Sequence, residues 1–227
     1  MNSKINYDTK VFGKFLVYEI NILRNLKSPS GIQHFLNGTD YNPDYITCSP
    51  RKIIKSRKAN CFEGALFAAA ALRVMGHKPV IVDLMADNDD DHVIAIFKQN
   101  NCYGAIAKSN TTLLRFREPV YRTIRELVMS YFDFYFNTLG EKSLRSYSVP
   151  VDLSRFDKQY WMTTDEDLEF IGDYLFTIKH YPILTKQMIK QLSIADKEVV
   201  NLCFTGSVLE GLFKPKRKNE IINPKSY

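Results

Sequence analysis

Residues 60–76, NCFEGALFAAAALRVMG, constrain the fold more than any other stretch of the chain. No residue between Ala65 and Ala71 is polar, so a helix here is apolar on every side. Such a helix belongs inside a protein, with other elements packed around it. Its ends are marked. Asn60 can cap the first turn and Glu63, three residues on, can reach back as in a capping box. Gly76 can take the left-handed stop, and Pro79 prevents continuation. Cys61 is therefore expected in the first turn of a buried helix, where free backbone N–H groups and the helix dipole favour a thiolate. A buried cysteine also serves as a small apolar filler, so its neighbours must decide its role.

The 227 residues, 45% of them apolar and 13% aromatic, suffice for one large domain with a sizeable core. Cys48, Cys61, Cys102 and Cys203 show no CxxC spacing, which predicts free thiols in a reducing compartment. The first residues lack the apolar core of a signal peptide, and no window reaches the length of a membrane helix, so the expected location is cytoplasmic, with no membrane partner. The net charge of +6 is scattered apart from Lys214–Lys218, which reads as a solvated tail.

Along the chain, residues 1–48 read as an N-terminal helical segment and residues 49–118 as the core. Residues 119–213 read as a helical C-terminal part of the same domain, and 214–227 as a loose basic tail. Ser49-Pro50 opens a short basic helix leading into Asn60. Residues 79–85, 92–97 and 102–107 read as three strands, the last two an antiparallel hairpin turning near Asn100. A helix is expected from Pro119 to about Asn137, others over 165–179 and from Ser193 to about Leu212, and a loop-rich stretch over 141–160. The acidic run Asp87-Asn88-Asp89-Asp90-Asp91 lacks the spacing of a calcium loop and reads as a solvated turn, so no metal and no cofactor is expected.

A thiol nucleophile needs a base within hydrogen-bond reach, and the base needs a group that fixes its tautomer. His92, at the start of the second strand, is the candidate base. The hairpin places its cross-strand neighbour between Ala107 and Ser109, so the candidate orienting groups are Asn110 and Ser109. In these features residues 49–110 resemble the transglutaminase-like group of papain-like cysteine enzymes. The matching elements are a short helix, a cysteine opening a helix, the run Leu72-Arg73-Val74-Met75-Gly76-His77-Lys78-Pro79, and a histidine beginning an apolar strand, His92-Val93-Ile94-Ala95-Ile96. Tyr103 fills the family's aromatic position, but its aspartate position falls near Ala107, which carries no acid. The resemblance implies an α+β fold, a papain/transglutaminase-like core with the cysteine helix on a small antiparallel sheet; the residue pattern adds a largely helical C-terminal half.

Three functions compete on these residues. One is thiol-dependent acyl transfer or hydrolysis of an amide or peptide bond through Cys61, His92 and Asn110 or Ser109, with a protein, peptide or small amide as substrate. The missing aspartate instead suits a catalytically silent scaffold acting as a binding module. The third, nucleic-acid binding, rests on the net charge and the aromatics, but the basic residues form no stripe.

Overall fold

The computed structural model describes residues 12, 14–44 and 46–216. The first helices are α1 (Val17–Asn25) and α2 (Pro29–Asn37), the second capped by Ser28, whose hydroxyl accepts the Gly31 N–H. Strand β1 (Asp40–Tyr41), helix α3 (Pro50–Ser56) and strand β2 (Lys58–Ala59) follow, β1 and β2 pairing in parallel. Then comes helix α4 (Cys61–Val74), with the expected Asn60–Glu63 capping box in place.

Strands β3 (Val80–Ala86), β4 (His92–Gln99) and β5 (Cys102–Ile106) form the expected antiparallel unit. Asn100 and Asn101 both take positive φ, 49° and 62°, as a two-residue hairpin whose twist matches its strands requires. The remaining elements are β6 (Arg117–Tyr121), α5 (Ile124–Phe132), β7 (Leu144–Ser148), β8 (Val151–Asp152), α6 (Glu169–Thr177), β9 (His180–Pro182), α7 (Lys186–Lys190) and α8 (Lys197–Phe204). The strands join one antiparallel sheet in the order β6-β5-β4-β3-β7-β9, with β8 paired to the start of β3.

The sheet is thus larger than three strands, and the second half of the chain is not largely helical. Pro119 lies within the edge strand β6, where a missing N–H is tolerated, and the helix begins only at Ile124. The stretch expected to be loop-rich supplies β7 and β8. Leu144-Arg145-Ser146-Tyr147-Ser148 has little apolar character of its own and becomes a strand by pairing with β3. The last helix stops at Phe204, and residues 205–216 continue as an irregular segment with one 3₁₀ turn at Leu209–Gly211. Part of the first expected helix, and the basic tail beyond Lys216, lie outside the described residues.

Alternation along the strands sorts the core into two clusters. One face carries Ile81, Val93, Ala95, Phe97 and Ile106 against α4, with Leu23, Ile32, Trp161 and Ile171 beyond it. The other carries Val82, Leu84, Ile94, Ile96, Ala105 and Ala107 against Leu127, Val128, Tyr131 and Tyr135. Every residue from Ala65 to Leu72 is fully buried, as an all-apolar helix requires. At Gly64 the helix meets the third strand's extension so closely that a Cβ would fall on the Cβ of Lys108. Gly64→Ala is therefore expected to lower stability by about 1–2 kcal/mol through overpacking, read as a lower urea midpoint at unchanged slope.

Candidate functional site

The first turn of α4 meets the start of β4 at the edge of the helix-packed face. The thiol of Cys61 lies 3.8 Å from the carbonyl oxygen of Asp91. Burial pushes that thiol up to about 12; the N–H groups of Val93 and Phe62 pull against the shift, and the negative charges of Asp90 and Asp83 add to it. At neutral pH Cys61 is a thiol.

His92 faces the other side of the sheet. Its ring is buried edge-on against Tyr131 and Tyr135, with centroids 6.3 and 6.4 Å away. Its Nε2 lies 2.9 Å from the carbonyl oxygen of Leu114. A carbonyl only accepts, so Nε2 carries the proton and Nδ1 is the basic nitrogen. Burial pushes the ring down to about 4, the Leu114 carbonyl opposing and the Arg117 charge adding to the shift, so it is neutral at pH 7. Although their side chains leave the sheet on different sides, Cys61 and His92 line one cavity at the end of β4. Its volume is about 60 Å³, room for a few waters and too small for a peptide.

The group that orients His92 is the Leu114 backbone, not the side chain of Asn110 or Ser109. Both lie beside the cavity, but their polar atoms are engaged elsewhere. Ser109 Oγ is 2.9 Å from the Thr111 hydroxyl and accepts the Thr111 N–H. The Asn110 amide donates to the carbonyls of Val208 and Gly211 and accepts the Val208 N–H. Ala107 is fully buried in the apolar cluster on the His92 face.

Asp89, Asp90 and Asp91 of the acidic loop border the same cavity, while Asp87 and Asp90 are exposed to solvent. Asp91 accepts the Ala86 N–H at 2.7 Å, and Asp89 accepts the Ser143 hydroxyl at 2.6 Å. Burial pushes the Asp89 carboxyl up to about 6 and raises Asp90 and Asp91 as well. Among the described residues no three His, Cys, Asp or Glu side chains converge to hold a metal ion.

Several groups at or near the site had little signal in the sequence. Tyr135 caps the acidic loop by donating to the Asp90 carbonyl at 2.8 Å, and its place in an apolar helical stripe reads only as core. Asp83, on the helix-packed face, binds His180 of β9 at 3.0 Å. Its carboxyl is pushed up to about 6 by burial, with the His180 bond opposing the shift. Residues 97 positions apart are joined there only by the order of strands in the sheet. No protein-family model matches the sequence, and no curated protein does. Among the described residues no helix is long and apolar enough to cross a membrane.

Proposed function

We propose that the chain is a thiol-dependent enzyme of transglutaminase-like, papain-like type that hydrolyses or transfers the acyl group of an amide or peptide bond. The observation that carries this reading is the shared cavity. A cysteine at the start of a buried helix and an imidazole with its proton fixed on Nε2 line the same space. The Cys61 thiol points to the Asp91 carbonyl and makes no hydrogen bond to the ring among the described residues, so in the reaction it turns toward His92 Nδ1 to pass its proton as its sulfur bonds the amide carbon. The Cys61 N–H, at the positive end of the helix, supports the oxyanion. His92 then gives that proton to the departing amine as the C–N bond breaks, leaving a thioester. Water or a second amine attacks the thioester, its proton going to His92 and then to the sulfur as the S–C bond breaks. The Leu114 carbonyl serves where the family uses a side-chain acceptor.

A catalytically silent scaffold is the second reading, and Ala107 favours it. No acid stands behind His92, and the resting pair is a neutral thiol with a neutral imidazole. Acylation by p-nitrophenyl acetate, followed by intact mass and peptide mapping, separates the two. On the enzyme reading Cys61 acylates faster than Cys48 and Cys102, and His92→Ala slows it by about a hundredfold. Acylation no faster at Cys61 than at the other thiols, or indifferent to His92, leaves the scaffold.

A further inference from the structure

We propose that the cleft over Cys61 and His92 is a binding groove for a polypeptide main chain, and that residues 205–216 of this chain occupy it. The segment is held at two places by asparagine side chains that read backbone alone. Asn110 Oδ1 accepts the Val208 N–H at 2.8 Å, while its Nδ2 donates to the Val208 carbonyl at 2.8 Å and the Gly211 carbonyl at 3.0 Å. At the other end Asn88 Oδ1 accepts the Lys216 N–H at 2.8 Å and its Nδ2 donates to the Lys216 carbonyl at 3.0 Å. A side-chain amide that both accepts from and donates to one residue's main chain recognises peptide groups whatever the side chain, as β-strand addition does.

Between these clamps the segment covers the candidate site. Gly211, Leu212 and Phe213 line the cavity of Cys61 and His92. Phe213 and Lys216 also line an adjoining cavity of about 640 Å³ beside Arg145 and Ile194. The narrow point is Gly211, where a Cβ would collide with the ring of Tyr41. A groove that admits glycine there, with apolar side chains at the next two positions, selects a substrate of that pattern.

The occupant is placed to leave. None of residues 205–216 is buried, and Leu209 stands 75% exposed. A segment held by main-chain hydrogen bonds with little apolar burial belongs to the low-stability end of a fold. A polypeptide is thereby named as the substrate class of the site, which rests on the enzyme reading; occupancy of the groove does not.

The test uses the full-length chain and the variants Gly211→Val and Asn88→Gly. The second removes a clamp without straining the backbone, because Asn88 has a φ of 56°. Deuterium exchange over residues 205–216 and iodoacetamide labelling of Cys61 are compared with the wild type. Both variants are expected to speed exchange in the segment and to raise Cys61 labelling by about tenfold. A synthetic peptide of residues 205–216 at millimolar concentration then restores protection, and the same peptide carrying Gly211→Val does not. Unchanged labelling in the variants, or no protection by the peptide, overturns the proposal. If Gly211→Val disturbs the whole fold, Asn88→Gly decides alone. Protection by the peptide with no ester acylation of Cys61 keeps the groove and sinks the catalytic reading; acylation without protection does the reverse.

Discussion

Replacing Glu63 with alanine is expected to cost about 3–5 kcal/mol of folding free energy. Glu63 is fully buried, and its carboxylate has no cation paired with it among the described residues. It is held by donors instead. The N–H groups of Cys48 and Asn60 reach it at 2.8 Å each, and Asn42 Nδ2 reaches its two oxygens at 3.1 and 3.0 Å. These bonds tie the start of α4 to the chain on either side of α3, so that one carboxylate fixes where Cys61 stands. Alanine would leave two backbone N–H groups and one amide buried without partners, each costing about 1–3 kcal/mol. Glutamine keeps the shape but turns a donor toward one of those N–H groups, so Glu63→Gln should cost about half as much. Urea unfolding measures both, as a fall in midpoint at unchanged slope. A loss under about 1 kcal/mol for alanine would mean that water replaces the carboxylate and that the network is not what positions the helix.

The helix bearing Cys61 was legible because three local signals agree there: an unbroken apolar run, a capping box and a glycine stop. The hairpin was legible from two apolar runs about a two-residue turn of asparagines. Strands β6 to β9 were not. Each is two to five residues long and mostly polar or half-buried, and is defined by its partner in the sheet rather than by its own pattern. The site divides in the same way. Cys61 and His92 announce themselves by residue type and position, and one cavity takes both. The group behind His92 is the Leu114 main-chain carbonyl, which no residue type encodes. The Asn110 amide, expected behind the His92 ring, instead reads the backbone of residues about a hundred positions downstream, a pairing without local signal.

Between pH 6.5 and 4 the wild type is expected to lose about 3 kcal/mol of stability relative to a His92→Gln variant, roughly 1.4 kcal/mol for each pH unit. The sign follows from burial. His92 is 4% exposed and its folded-state pKa is pushed down to about 4, first by burial and then by the Arg117 charge, against an ordinary value of 6.5. Well above pH 6.5 the ring is neutral in both states and contributes nothing to the slope. As the pH falls, the unfolded chain binds a proton that the folded chain refuses, and stability drops until the folded ring titrates near pH 4. Asp83 and Asp89 act in the opposite sense. Burial raises both to about 6, so the stability they contribute is full below pH 3.8 and is lost as the pH rises through 6. In the wild type alone the two acids outweigh and hide the His92 slope. Glutamine keeps a donor for the Leu114 carbonyl and does not titrate, so the difference between the two proteins isolates His92. Urea midpoints at half-unit pH steps give that difference directly. A flat difference would show that the ring is not desolvated.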